Sequence, residues 1–119
     1  MKCENLDVWK RACRLSVSLY QYFDGSREFG FKDQITRSAL SIGSNIAEGL
    51  EKDSLAENLR YLEIAKGSVA ELITQLYIGI EAGFIEKECG MSWVKESNEI
   101  LRMLKGYKSY LQKRDQNGK

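Results

Sequence analysis

The segment that decides the fold is SLAENLRYLEIAKGSVAELITQLYIGIEAG, residues 54–83. It opens with a capping box, in which the Ser54 hydroxyl and the Glu57 carboxylate satisfy free backbone amides at a helix start. Apolar residues then recur every three or four positions, the spacing of one helical face: Leu55, Leu59, Leu62, Val69, Ile73, Leu76 and Ile80. At about 1.5 Å per residue this helix spans about 40 Å. That length is typical of a helical bundle.

Two further helices precede this segment. One is predicted over 31–48, and Gly49 follows it at the position of a left-handed helix stop. The other is predicted over 6–23, after which Asp24 and Gly25 break the chain. The inward residues that the spacing predicts for the helix over 31–48 are Phe31, Ile35, Ala39, Ile42 and Ile46, and those for the helix over 6–23 are Trp9, Ala12, Cys13, Leu19, Tyr20 and Phe23.

A fourth helix is predicted over 88–113, with a seam formed by Val94, Leu101, Leu104 and Leu111, and residues 115–119 are expected to be disordered. The connections are short, so consecutive helices should run antiparallel. The chain has 119 residues and no proline, which fits one domain of unbroken helices. The sequence therefore predicts a single all-α domain, an antiparallel up-down-up-down four-helix bundle.

The amino-acid composition excludes several classes of catalytic and metal site. The chain has no histidine, which removes histidine-dependent nucleophiles, histidine general bases and the histidine ligands of di-iron bundles. Phosphate-binding glycine motifs and metal-binding carboxylate clusters are missing from the sequence as well. We expect no enzymatic activity, no cofactor and no metal, although a lone carboxylate such as Glu48 or Glu71 remains an alternative.

Charge and cysteine usage bear on location. The formal net charge is +1, so no global field attracts nucleic acid or an anionic membrane. Three cysteines, Cys3, Cys13 and Cys89, form no metal-binding or disulfide pattern and indicate free thiols. Neither a signal peptide nor a long apolar run is present. We expect a soluble, cytoplasmic protein that does not bind a membrane.

The helix over 31–48 carries an unusual strip. Ala39, Gly43 and Ala47 are four residues apart and form a line poor in side chains. A polar line lies beside it and includes four candidate functional residues, Arg37, Ser41, Asn45 and Glu48. One interpretation is tight packing against the third helix, where Gly67 and Ser68 offer a matching gap. The other is a subunit interface or a ligand groove.

The carboxyl-terminal part of the chain is basic. Between residues 102 and 119 Asp115 is the one acidic residue, and the basic residues are Arg102, Lys105, Lys108, Lys113, Arg114 and Lys119. The first five are candidate contacts to RNA or DNA, with Tyr107 and Tyr110 able to stack on unpaired bases. The alternatives are that the charges complement the helix dipole and that both tyrosines are packing residues.

More than one flank is apolar on the first and third helices. The residues beside the main faces are Val8, Leu15 and Tyr22 on the first helix, and Tyr61, Ile64, Leu72 and Tyr77 on the third. One bundle buries a single broad stripe per helix. Apolar surface left over on a soluble protein commonly marks an interface, so the sequence predicts a homo-oligomer.

Several runs resemble one bacterial family, the proteins named for reading frames inside 23S rRNA intervening sequences. The runs are LDVWK at 6–10 with Ala12, QI-RSA at 34–39, SI--NIAEG at 41–49, L-IAKGS--EL at 62–72 with QL at 75–76, and MLKG at 103–106. The resemblance implies a four-helix bundle that assembles as a ring-like homo-oligomer, a pentamer, without established enzymatic activity. The family is also similar to accessory variability proteins of diversity-generating retroelements, which associate with a reverse transcriptase and nucleic acid.

The sequence leaves two functions of different class open. The first is a non-enzymatic oligomeric scaffold that binds nucleic acid or a nucleic-acid-processing partner protein. The second is a small-molecule-binding or enzymatic bundle that uses Arg37, Asn45 and Glu48.

Overall fold

A computed structural model describes residues 1–117 of the chain. Those residues form four helices and no strand: α1 (Asp7–Tyr22), α2 (Phe29–Leu50), α3 (Leu55–Ala82) and α4 (Lys87–Asn117). The molecule measures 52 × 21 × 21 Å, the shape of helices packed side by side. The predicted all-α fold is confirmed.

Paired contacts give the direction of each helix. The Ser41 and Ser68 hydroxyls lie 2.8 Å apart, and the Asn58 side-chain amide donates to the Gly49 carbonyl at 2.6 Å. Moving forward along α2 from Ser41 to Gly49 therefore moves backward along α3, so the two helices are antiparallel. The same reversal relates α1 to α2, α3 to α4 and α1 to α4. These contacts agree with an up-down-up-down bundle in which α1 contacts α2 and α4, and α3 contacts α2 and α4.

Local sequence explains both ends of α3. The Ser54 hydroxyl accepts the Glu57 backbone N–H at 3.2 Å, as the capping box predicts. Gly83 ends the helix with φ of +83°, a left-handed conformation that glycine adopts without steric cost. The prediction for Gly49 was wrong, because α2 continues to Leu50 and Gly49 has no positive φ. A Cβ on Gly49 would lie 2.6 Å from the Tyr61 Cβ, so this glycine allows α2 and α3 to approach each other closely.

The buried face of α1 differs from the predicted one. Val8 and Leu15, which the spacing predicts on an outer flank, are 3% exposed and belong to the core. Trp9 and Cys13 are only half-buried, and Tyr20 is 43% exposed. Both flanks of α1 are apolar, so periodicity alone could not tell which one the neighbouring helices cover.

The small-residue strip of α2 faces α1, where packing against α3 was one interpretation. A Cβ on Gly43 would lie 3.5 Å from the Cys13 sulfur and 3.9 Å from the Ala12 Cβ. A Cβ on Gly67 would have no neighbour within 4 Å, so this glycine offers no gap to α2. Ser68 does contact α2, through its bond to Ser41. The physical reason is the orientation of α2: Ser41 faces α3, which leaves Gly43 towards α1.

The end of the chain also differs from expectation. Helix α4 runs to Asn117, so residues 115–117 are helical where disorder was expected. Residues 118 and 119, also in the expected disordered tail, lie outside the described part of the chain.

Candidate interaction surfaces

The polar line of α2 joins α2 to α3. The Asn45 side-chain amide donates to the Ser41 carbonyl at 2.8 Å and to the Ser41 hydroxyl at 2.9 Å. The Ser41 hydroxyl in turn contacts the Ser68 hydroxyl, which also donates to the Ile64 carbonyl at 3.2 Å. All of these groups are half-buried or buried. Ser41 and Ser68 therefore form a small hydrogen-bonded seam between the two helices, and Asn45 supports it from one turn further along α2.

The other two candidates on this line lie apart from the seam. Arg37 is exposed and forms an ion pair with Asp33, one turn away on the same helix, at 3.0 Å. Glu48 accepts a hydrogen bond from the Tyr61 hydroxyl at 3.2 Å. The structure thus brings Ser41 and Asn45 together, but it does not gather all four residues around one space.

Two cations lie against the Tyr61 ring. The Arg60 guanidinium lies 4.6 Å and the Lys52 ammonium 5.3 Å from the ring centre, within cation–π distance. Arg60 also forms hydrogen bonds with Glu57, which lower the pKa of the Glu57 carboxyl. This cluster fixes the outer edge of the α2/α3 contact next to Gly49.

A long apolar surface runs between α1 and α2. Two hollows lie along it, one around Gly43 and one beside Tyr20, and the second is also lined by Lys32, Asp33 and Thr36. We call this surface the α1/α2 groove and define it by Trp9, Cys13, Val17 and Tyr20 of α1 with Phe29, Leu40, Gly43 and Ala47 of α2. Four of its members are large and exposed: Val17 at 54%, Tyr20 at 43%, Phe29 at 70% and Leu40 at 51%.

The groove is poor in chemically active groups at its Gly43 end. That hollow has a volume of about 250 Å³, below the ~300 Å³ at which small-molecule sites usually begin. Its lining contains no charged side chain, and burial raises the pKa of the Cys13 thiol, which keeps the thiol protonated. Its polar members are Cys13, Ser16 and Ser44, besides the indole of Trp9.

A second exposed apolar surface lies on α3. Ile64 and Ile78 are 40% and 54% exposed and are fourteen residues apart, with exposed Glu71 midway between them. Seven-residue spacing keeps all three on one side of the helix. We call the line Ile64, Glu71 and Ile78 the α3 ridge. The predicted outer flank of α3 is only partly right, because Tyr77 is 51% exposed but Leu72 is in the core.

The five basic candidates on α4 differ in their surroundings. Arg102 forms an ion pair with Glu99, and Lys108 forms one with Glu63 of α3 at 2.9 Å. Hydrogen bonds from Lys108 and then Lys66 lower the pKa of the Glu63 carboxyl. Two of the five charges are thus offset by carboxylates within residues 1–117.

The remaining three, Lys105, Lys113 and Arg114, are exposed and have no ion-pair partner in the described part of the chain. Tyr107 and Tyr110 lie between them along α4, with ring centres 5.8 Å apart and planes at 26°, a stacked arrangement. Tyr110 is 54% exposed, whereas burial raises the pKa of Tyr107, which packs against the core. Tyr110 thus presents a ring to solvent, and Tyr107 is a packing residue.

Neither a metal cluster nor a membrane-spanning helix is found in the part of the chain that the structure describes. Within residues 1–117, no group of three or more cysteine, aspartate or glutamate side chains is placed to hold a metal ion. None of the helices in the same range has the length and apolar character needed to cross a membrane.

Sequence reasoning missed the groove, although one signal for it was present. Trp9, Cys13 and Tyr20 recur at helical spacing on α1, and that spacing predicts a place in the core. The small residues of α2 are equally visible in the sequence, but which helix they face depends on tertiary packing.

The fold defines the class of protein: an all-α four-helix bundle. Its surface carries the α1/α2 groove, the α3 ridge and the basic end of α4. The family model of the 23S rRNA-intervening sequence protein matches residues 4–106, and the chain belongs to that family. A solved structure from Bacteroides thetaiotaomicron, of a protein with unknown function from the S23 ribosomal protein family, is similar with a TM-score of 0.80 and 28% sequence identity. The match covers 85% of this chain and 97% of that one. Among curated proteins, none matches the sequence. The predicted family is confirmed.

Proposed function

We propose that this protein is a non-enzymatic scaffold that acts as a cytoplasmic homo-oligomer. The observation that carries the proposal is apolar exposure on two surfaces, the α1/α2 groove and the α3 ridge. Large apolar side chains on a folded chain of this size favour association, because pairing them removes apolar area from water at about 25 cal/mol per Å². The family resemblance suggests a ring of five copies.

The alternative, a small-molecule-binding or enzymatic bundle, has less support. It would use Arg37, Asn45 and Glu48, yet Asn45 is engaged with Ser41, Arg37 with Asp33 and Glu48 with Tyr61. No cavity among those described is lined by any of the three. A polar side chain that already has partners within the protein gains little from a ligand.

Light scattering coupled to gel filtration tests the scaffold proposal. The expected result is a single species at a multiple of the 13.6 kDa chain mass that persists across micromolar dilution. A species at the mass of one chain throughout the same range would contradict it.

We propose nucleic acid as the ligand of this scaffold, bound at the basic end of α4. Exposed Lys105, Lys113 and Arg114 beside the Tyr110 ring favour this assignment, because phosphate contacts from flexible cations and stacking on an exposed ring are the two general means of binding single strands. A ring would repeat the patch in every copy, so that weak contacts act together. Fluorescence anisotropy with single-stranded RNA and duplex DNA over a salt series tests it, and absence of binding at about 50 mM salt would contradict it.

A further inference from the structure

We infer that the α1/α2 groove of one copy binds the α3 ridge of a second copy of this chain, in a head-to-tail contact between two different surfaces. The inference rests on the proposed homo-oligomer and states how its copies meet. The two surfaces match in the heights of their apolar groups along the bundle, in the charges beside these groups, and in their positions on the bundle.

Heights along the bundle can be read from contacts between helices. The bond between Ser41 and Ser68 sets one level on α2 and α3. Ile64 lies four residues from Ser68 towards the start of α3, which is the height of Asn45 on antiparallel α2. The hollow around Gly43 spans residues 39–47 of α2 and therefore includes that height.

The other end of the ridge matches as well. Ile78 lies ten residues beyond Ser68, at the height of Phe31 on α2. The hollow beside Tyr20 is lined there by Phe29, Gly30 and Lys32. In a ring whose rotation axis runs along the bundle every copy keeps the same height. Ile64 then meets the uncharged hollow around Gly43, and Ile78 meets the hollow beside Tyr20, where Phe29 offers the apolar contact.

Charge complements this match. Glu71, midway along the ridge, is at the height of Ser38 on α2, and Gly43 sets the level of Ala12 and Cys13 on α1. Glu71 therefore meets the groove near Val17, about one helical turn from exposed Arg14. Neither Arg14 nor Glu71 has an ion-pair partner within residues 1–117.

The positions of the surfaces favour a closed ring. The groove lies between α1 and α2, whereas the ridge is on α3, whose backbone does not adjoin that of α1 in the described part of the chain. A contact between different surfaces leaves one groove and one ridge free on every pair of copies. Further copies add until the last ridge reaches the first groove.

Gly67 lies beside the ridge on α3. This glycine is exposed within α3, one turn from Ile64 and from Glu71, and a methyl group there would have no atom of another helix within 4 Å. Interior glycine lowers helix stability relative to alanine. Close approach by a neighbouring chain at the ridge is a reason for its presence.

Two glutamate substitutions test the contact, each at an exposed residue so that the fold survives. Leu40→Glu alters the groove, where Leu40 is 51% exposed, and Ile78→Glu alters the ridge, where Ile78 is 54% exposed. Tyr110→Glu is the matched control, because Tyr110 is 54% exposed but lies on α4, outside both surfaces. Circular dichroism establishes that each variant is folded. By light scattering, Leu40→Glu and Ile78→Glu should each give the mass of one chain, and Tyr110→Glu should keep the wild-type mass.

A pull-down separates a head-to-tail contact from a symmetric one. Tagged Leu40→Glu keeps an intact ridge, and untagged Ile78→Glu keeps an intact groove, so the first variant should retain the second. Tagged Leu40→Glu should not retain untagged Leu40→Glu, because neither has an intact groove. A wild-type oligomer that both substitutions leave assembled, or that only one of them dissociates, overturns the contact while the scaffold proposal stands. A wild-type protein at the mass of one chain overturns the scaffold proposal itself.

Discussion

Gly49 and Tyr61 set a close approach between α2 and α3, because a methyl group at Gly49 would lie 2.6 Å from the Tyr61 Cβ. That atom is fixed to the backbone and cannot move away by a rotamer change. Gly49→Ala should therefore lower the free energy of unfolding by about 1–3 kcal/mol, despite the higher helix propensity of alanine. Urea denaturation measures the change.

Gly106→Ala is the control for this substitution. Gly106 lies inside α4, is exposed and has no neighbour within 4 Å of the added methyl position. Alanine there should raise stability by up to about 1 kcal/mol. If both substitutions stabilise the protein, the close approach at Gly49 is wrong.

Asn45 contributes to stability through the α2/α3 seam. Asn45→Ala removes two hydrogen bonds to Ser41, whose hydroxyl keeps its contact with Ser68, and should cost about 1 kcal/mol. Glu48→Ala removes one exposed bond to Tyr61 and should change stability by less than about 0.5 kcal/mol. Thermal unfolding of both variants measures the difference, and equal effects would contradict the structural role of the seam.

How far the sequence predicts this molecule depends on what each signal encodes. Ser54 and Glu57 act within one turn, so the start of α3 could be read locally. Val8 and Trp9 could not be sorted into core and surface, because both flanks of α1 are apolar and the choice depends on where α2 and α4 lie. For Gly43, the sequence could not predict whether α1 or α3 covers this side of α2. The sequence alone identifies the basic residues near the end of α4, but only the structure reveals that Lys108 is paired with Glu63.

Ser97 is a buried hydroxyl whose loss should help. It is fully buried in α4, and its oxygen has no hydrogen-bond partner within the described residues. An unsatisfied buried polar group costs about 1–3 kcal/mol, and alanine also favours the helix, so Ser97→Ala should raise stability by about 1 kcal/mol or more. The control is Ser109→Ala, an exposed position on the same helix, which should gain only a few tenths. A Ser97→Ala variant less stable than wild type would indicate a partner for this hydroxyl.

The ion pair between Glu63 and Lys108 makes a small part of stability depend on pH. Hydrogen bonds from Lys108 and Lys66 lower the pKa of the Glu63 carboxyl in the folded state. The ion pair therefore contributes fully to folding stability above the pKa of the unfolded carboxyl, about 4.3. This contribution is lost as the pH falls through the lower pKa of the folded state. Glu63 is 50% exposed, so the contribution should stay below about 1 kcal/mol. Glu63→Gln should be less stable than wild type at pH 7 and equally stable near pH 2. A difference that persists in acid would arise from packing.

Charge removal at the basic end of α4 should weaken nucleic-acid binding selectively. A variant with Lys105, Lys113 and Arg114 each changed to Gln removes the three exposed cations that lack an ion-pair partner among residues 1–117. A control changes Arg27, Lys87 and Lys95 to Gln, which removes the same charge from exposed positions elsewhere.

Anisotropy titrations with single-stranded RNA over a salt series should separate the two variants. Each lost phosphate contact reduces the slope of log affinity against log salt by about 0.7, so the α4 variant should have a slope smaller by about 2, whereas the control should bind like wild type. The substitutions leave Arg102 and Lys108 in place, because Glu99 and Glu63 already offset their charges. Equal losses in both variants would mean that overall charge, and not the α4 site, governs binding.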